Sequence, residues 1–249
     1  MRVYLAMEKD ILLVVPCFNE SDRWNALYWN SLTEINNIQF VFVNDGSSDN
    51  TKKRIEEITN RTSHILLDLP KNCGKAEAVR LGFQEAFRTS PSAVGFLDSD
   101  GAFPIEDVKI QLNVFRELNH QKNNIAVWSS RVKLSGRAIE RKLLRHYLAR
   151  IISTFLSLRL KYTIYDTQSG MKIFPFTDEL VQTMSTEFST RWFIDLEIYL
   201  RWRTLHGEAL EIWEEPLRGW RDIGGSKLTG RQYLQVLKDI KFLLRYKGG

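Results

Sequence analysis

Only two cysteines, Cys17 and Cys73, occur in the 249 residues. That is too few for a disulfide framework and fits a reducing, cytosolic setting. No apolar run approaches the roughly 20 residues that span a bilayer, and the stretch from Met1 to Asp10 lacks the apolar core of a signal peptide. No G-x-G-x-x-G follows the first apolar run, which argues against a dinucleotide site, and no G-x-x-x-x-G-K-[ST] occurs, which argues against a P-loop enzyme. Internal repeats, low-complexity linkers, zinc-ligand spacing and an RRM-type aromatic pattern are missing too, which weighs against a nucleic-acid-binding module. What is there is a chain of 43% hydrophobic and 26% charged residues, the composition of a globular protein long enough to bury a sizeable core.

The net charge of +5 is unevenly spread. From Arg131 to Lys161 there are nine Lys or Arg and one acid, Glu140, so the remainder is mildly acidic. A local basic block points to an anionic partner: nucleic acid, phospholipid or a phosphorylated substrate. Within it Arg137, Arg141 and Arg145 recur at i, i+4, and Leu144, Leu148, Ile151, Ile152, Phe155 and Leu156 supply an apolar face. The spacing predicts a basic amphipathic helix over residues 137–160, suited to an anionic membrane interface or to packing on a sheet. Residues 233–246 repeat the pattern, with Leu234, Leu237, Ile240 and Leu243 against Lys238, Lys241 and Arg245, as a helix packed on the domain also would.

Short apolar, mostly β-branched runs at 11–15, 39–43, 64–67, 94–97 and 125–128 read as buried strands. Helix-like stretches at 51–59, 75–88 and 105–118 lie between them. Alternation of this kind predicts a mostly parallel α/β sheet, with ligands bound outside the carboxyl ends of the strands. Polar loops follow those ends: Pro16-Cys17-Phe18-Asn19-Glu20, then Asn44-Asp45-Gly46-Ser47-Ser48-Asp49-Asn50-Thr51, then Lys71-Asn72-Cys73-Gly74-Lys75. Ser48 or Asp49 is a good N-cap for the helix that follows.

The fourth loop, Asp98-Ser99-Asp100-Gly101, carries the most chemistry. Side chains two apart on an extended strand share one side, so two carboxylates face each other and repel unless a cation lies between them. Oxygen-only ligands suit Mg or Mn. The same letters read as a turn with a helix cap, or as the nucleophile motif of dehalogenase-type phosphatases. The last belongs on a first strand, whereas Asp98 follows three earlier ones.

Taken in order, these loops resemble the family 2 glycosyltransferases. Further on, Asp166-Thr167-Gln168-Ser169-Gly170-Met171-Lys172-Ile173-Phe174 resembles the D-x-Q-x-G-x-K-x-F segment of dolichyl- and polyprenyl-phosphate sugar synthases. Arg191-Trp192-Phe193-Ile194-Asp195-Leu196-Glu197 and Trp220 with Gly225-Ser226-Lys227-Leu228 resemble two later segments of that branch, and residues 71–82 are nearer its glucose than its mannose members. The resemblance implies the α/β GT-A fold with a mostly parallel central sheet flanked by helices. It implies one catalytic domain over 1–249, with a nucleotide-sugar half (1–130), an acceptor half (131–228) and a C-terminal amphipathic helix (229–249).

It further implies a metal-dependent inverting transfer of a hexose, from UDP-glucose or GDP-mannose, to a polyprenyl or dolichyl phosphate. The alternatives are transfer to a glycan or lipid-linked hydroxyl, and a GT-A domain that only binds a partner. Asp98 and Asp100 would hold the Mg or Mn ion. Pro16, Phe18, Glu20, Asp45, Lys75, Ser99 and Lys227 would line the donor pocket, with Asp45 near the base. Asn44 stands where a second Asp is common, leaving that contact to Asp45. Asp166 and Gln168 would orient metal or acceptor oxygens. Arg131, Arg137, Lys172 and Asp195 would form the acceptor side, with Lys133 among its cations; Arg218, with Lys227, would add a cationic contact to the diphosphate, and Asp195 and Glu197 would support the site from behind or touch the sugar. A phosphate acceptor is already ionised and needs cations; a hydroxyl acceptor needs a base, for which Asp166 or Asp195 would serve. Because the chain ends at Gly249 without the transmembrane helices of many relatives, attachment to the cytoplasmic face of a membrane is expected to be peripheral, or through a partner.

Overall fold

The computed structural model describes residues 11–120, 124–140, 154–159, 161–221, 223 and 230–246, without the side chains of 230–233. Its strands are β1 (Ile11–Cys17), β2 (Ile38–Asp45), β3 (Ile65–Leu69), β4 (Ala93–Leu97), β5 (Ala126–Ser130), β6 (Ala138–Glu140), β7 (Met171–Pro175), β8 (Ile212–Pro216) and β9 (Gly219–Arg221). The helices are α1 (Ala26–Thr33), α2 (Thr51–Thr59), α3 (Lys75–Phe87), α4 (Ile105–Asn119), α5 (Asp178–Thr183), α6 (Ile194–His206) and α7 (Gly230–Arg245). A short helical piece at 154–159 precedes the loop into β7.

Seven strands form one sheet in the order β3-β2-β1-β4-β7-β5-β8. All run parallel except β7, which is antiparallel to both β4 and β5. Strands buried on both faces read as continuous apolar runs, which is why all five expected strands appear where the β-branched residues cluster. Period-2 alternation divides the core. Leu12, Val14, Val41 and Val43 meet Val79 and Phe83 of α3 and belong to the core shared with α6 and α7. Leu13, Val15, Phe40 and Phe42 face Trp29, Ile55, Val108 and Leu112 of α1, α2 and α4. At Gly82 a Cβ would come within 2.3 Å of Val14 Cγ1, so the absent side chain lets α3 lie close on the sheet.

The helix expected over 137–160 does not start at Arg137. Ala138–Glu140 is strand β6, paired in parallel with β9 in a separate two-stranded sheet, and the Ala138 amide donates to Arg218 O at 2.8 Å. A partner some 80 residues further along the chain decides this, and no local period reports it. Residues 141–153 and 160 of that expected helix lie outside the described residues. In the piece that follows, Phe155 and Leu158 are exposed. The C-terminal helix forms as expected: Asp239 and Leu243 are buried against the domain, while Leu234 and Leu237 are each 62% exposed. Among the described residues no helix is long and apolar enough to cross a membrane.

Candidate active site

The loops after β1 and β2 are stitched together. The Asn19 amide donates to Ser47 Oγ at 3.1 Å, the Ser48 amide to Asn19 Oδ1 at 2.9 Å, the Glu20 amide to Thr51 Oγ1 at 2.7 Å and the Ser21 amide to Asp49 Oδ2 at 3.0 Å. Burial raises the Asp49 carboxyl, but hydrogen bonds from Thr51 and Ser21 together outweigh it and hold the group at about 2. Asp49 thus receives the Thr51 amide at 2.9 Å, while the cap residue Asn50 makes no side-chain bond. Pro16 is half-buried at the rim and Phe18 is exposed beside it.

Asp45, expected near the base, spends both carboxylate oxygens on the loop before α3. Oδ1 accepts from the Cys73 amide at 2.7 Å; Oδ2 accepts from the Gly74 amide and Asn72 Nδ2, each at 2.9 Å. Asn44 turns away, donating to Asp68 at 2.7 Å. At the head of α3, Lys75 reaches Asp98 Oδ1 at 2.5 Å.

Asp98 and Asp100 follow β4. The Asp98 amide donates to Gly170 O at 2.8 Å, and Asp100 Oδ1 accepts from the Ala102 amide at 3.0 Å. Burial first, and the Asp98 charge second, push the Asp100 carboxyl above its ordinary range. Glu20 is raised too, by burial, with Arg23 opposing and Asp100 adding. Glu20 Oε2 and the Tyr28 hydroxyl are buried without a hydrogen-bond partner, and burial followed by the charges of Asp100 and Asp98 raises Tyr28. Mutually repelling carboxylates beside unpartnered oxygens fit a divalent cation. Among the described residues no group of three or more His, Cys, Asp or Glu could hold a metal. Two carboxylates alone would leave the remaining positions of such an ion to other oxygen donors.

Arg131 and Asp166, close enough to Asp98 for its charge to act on the guanidinium, form a fork. Asp166 Oδ2 accepts from the Arg131 amide at 2.9 Å and Nε at 2.8 Å, and Oδ1 accepts from Nη2 at 2.8 Å. The guanidinium lies 5.2 Å from the Trp220 ring centre. Burial works against its charge, but Asp166, Asp98 and Asp195 more than compensate. Gln168 is exposed, and its amide donates to Asp166 Oδ1 at 3.2 Å. Ser99 is buried, Arg137 half-buried, Lys133 and Arg218 exposed; Lys227 lies outside the described residues.

Lys172 needs correcting as an acceptor contact. It is 0% exposed, on the antiparallel strand in mid-sheet. Its Nζ donates to Ser169 O at 2.5 Å, pairs with Asp195 Oδ1 at 2.9 Å and lies 4.9 Å and 5.3 Å from the Trp128 and Phe96 rings. It braces the floor under the site, as does buried Asp195. Glu197 is likewise internal, accepting the Ser189 and Thr190 amides at 2.9 and 2.7 Å and pairing with Arg201 at 2.8 Å.

Three acids that carried no sequence signal complete the site. Asp107 accepts the Arg218 and Gly219 amides at 3.0 and 2.9 Å. Asp239 accepts the Arg191 and Trp192 amides at 2.8 and 3.0 Å. Glu214 accepts the Tyr165 and Asp166 amides at 2.7 and 2.9 Å.

A mostly parallel seven-stranded sheet flanked by helices, with polar loops at the carboxyl ends of its strands, is the GT-A fold of nucleotide-diphospho-sugar transferases. The chain belongs to glycosyl transferase family 2, whose model matches residues 12–179, and it is a glycosyltransferase. It is 29% identical over 238 residues to a dolichyl-phosphate beta-glucosyltransferase of Trichomonas vaginalis, covering 92% of this chain and 71% of that protein. A second such enzyme from that organism is 28% identical over 250 residues, with 96% and 72% covered. The fold is also that of glucosyl-3-phosphoglycerate synthase from Mycobacterium tuberculosis, solved with Mn2+, uridine diphosphate and phosphoglyceric acid. There the TM-score is 0.64 at 17% identity, over 96% of this chain and 80% of that one.

Proposed function

We propose that the protein transfers glucose from UDP-glucose, with inversion, to a polyprenyl or dolichyl phosphate, using Mg or Mn. The observation that carries this reading is the state of the two candidate bases. Asp166 is locked to Arg131 at 2.8 Å and Asp195 to Lys172 at 2.9 Å, so neither is poised to take a proton from a hydroxyl. A phosphate monoester needs no base; it needs a cation, and Arg131 would provide one through the guanidinium edge not turned to Asp166. The names of the two relatives point the same way.

Asp98 and Asp100 would hold the metal, which when bound stabilises the charge growing on the departing diphosphate. Lys75 adds a positive charge next to them. A phosphate oxygen of the acceptor attacks the anomeric carbon as its bond to the diphosphate oxygen breaks, giving the glycosyl phosphate and UDP. Pro16, Phe18, Glu20, Ser99 and the loop held by Asp45 would shape the donor pocket of the half spanning 1–130, and Arg131 and Arg137 would serve the acceptor half, 131–228. The exposed Leu234 and Leu237, flanked by Lys238 and Lys241, suit a peripheral seat on the cytoplasmic face of an anionic membrane.

The test incubates the protein with labelled UDP-glucose or GDP-mannose, a polyprenyl phosphate and Mn or Mg. A glucose-labelled product in the organic phase is expected, and D100A should abolish it while leaving the fold intact. Labelling of a hydroxyl acceptor with no organic-phase product overturns the reading.

A further inference from the structure

We propose that Glu214 is a positioning residue for the acceptor phosphate, acting through Asp166 on Arg131; the inference rests on Arg131 being the acceptor contact. Residues 163–170 have no regular secondary structure before β7, so their backbone must be fixed by something else. Glu214 does this from β8, where it stands opposite Trp128 of β5. Its Oε2 accepts the Tyr165 amide at 2.7 Å and its Oε1 the Asp166 amide at 2.9 Å. Asp166, fixed in this way, takes the amide, Nε and Nη2 of Arg131. Arg131 follows directly on β5, the strand paired with β8. Two neighbouring strands therefore hold the two ends of one ion pair, and Glu214 sets where the guanidinium fork points.

A carboxylate suits this task because each oxygen accepts one of two consecutive amides. A Gln at this position keeps one acceptor oxygen and aims an NH2 group at the other amide. The loop then loses one bond and gains a donor–donor clash. A displaced guanidinium would meet the acceptor phosphate less well in the ground state and the transition state alike, so the loss falls on acceptor KM.

The experiment measures steady-state kinetics of E214Q, R131K and the double variant with UDP-glucose, Mn2+ and a short-chain polyprenyl phosphate. E214Q is expected to raise acceptor KM about tenfold, with donor KM unchanged and the loss in KM rather than kcat. Combined with R131K it should add little, because both act on one interaction. Additive effects, or a loss shared equally by donor and acceptor, overturn the inference. An acceptor KM unchanged by E214Q but raised by R131K overturns it while leaving the acceptor reading in place. An acceptor KM unchanged by R131K overturns both. Melting temperature and UDP binding report the fold of E214Q; if both are lost, E214D replaces it in the same cycle and must show the same split between acceptor KM and donor KM.

Discussion

The Asp98 carboxylate rests on the Cα of Gly170: a Cβ built at residue 170 would lie 2.1 Å from Asp98 Oδ2. With the Asp98 amide donating to Gly170 O, the first acid of D-x-D is docked onto the glycine of D-x-Q-x-G-x-K-x-F. The two motifs, some 70 residues apart, are halves of one seat. A glycine there is needed for space, because its φ is not among the positive values.

Gly170→Ala should therefore displace Asp98 with little change to the backbone. Loss of activity of at least about 100-fold is expected, as misplacing a reacting group by an ångström does elsewhere, with Tm lowered by only a few degrees. Manganese-dependent UDP binding, followed by calorimetry, checks this. Undiminished binding would show that Asp98 does not depend on the bare Cα.

Much of this site is legible in the sequence, and the reason is chemical. Loops such as 16–20, 44–51 and 98–101 follow strands whose β-branched runs are unmistakable, and their turn and carboxylate chemistry is local. What is not legible is held by distance. Asp107 fixes amides at 218 and 219, Asp239 those at 191 and 192, and Glu214 those at 165 and 166; a single acid in a helix or strand looks like surface charge. Lys172 misleads for a related reason. It looks like a free cation until β7 is seen wedged antiparallel between β4 and β5, covered on both faces.

His64 makes stability depend on pH below the ordinary histidine range. Its Nδ1 accepts the Phe40 amide at 3.2 Å while Nε2 faces Thr33 O at 3.3 Å, a pattern that assigns the proton to Nε2. Burial pushes its pKa below the ordinary 6.5, with the Thr33 bond opposing. A histidine depressed on folding binds fewer protons in the native state, so stability is full above pH 6.5 and falls as the pH drops below it. Thermal melts from pH 8 to 5 should show this decline, and His64→Gln should flatten it. An unchanged slope in the variant would assign the decline to other groups.

Asp239 ties the C-terminal helix to the loop that precedes α3. It receives the Arg191 and Trp192 amides, and Gln235 Nε2 at 2.7 Å; Arg191 in turn donates to Asn72 Oδ1 at 2.5 Å. Asp239→Ala leaves two amides without their acceptor, a cost of about 1–3 kcal/mol. Urea unfolding should record that loss, and limited proteolysis should cut α7 earlier than in the parent protein. A rise in donor KM is also expected, because Arg191 steadies the loop that Asp45 holds. Unchanged proteolysis would mean that Leu243 and its neighbours seat the helix alone.

The Lys172–Asp195 pair gives the sharpest test of what the floor of the site contributes. Burial pushes Lys172 down and Asp195 up, and their mutual attraction is the main force opposing it, with Asp166 adding to it at Lys172 and Lys75 at Asp195. Lys172→Met strands a buried carboxylate and should cost about 3–5 kcal/mol, whereas Lys172→Met with Asp195→Leu should recover much of the loss, because an apolar pair needs no desolvation. The single variant also has a predicted pH signature. Without Lys172 the Asp195 carboxyl rises further, so the native state holds a proton that the unfolded chain releases. Stability of Lys172→Met should then fall as pH rises above the ordinary carboxylate range, and denaturant melts at pH 5 and pH 8 should differ in that direction. Equal stability at both would mean that water reaches Asp195 once the lysine is gone.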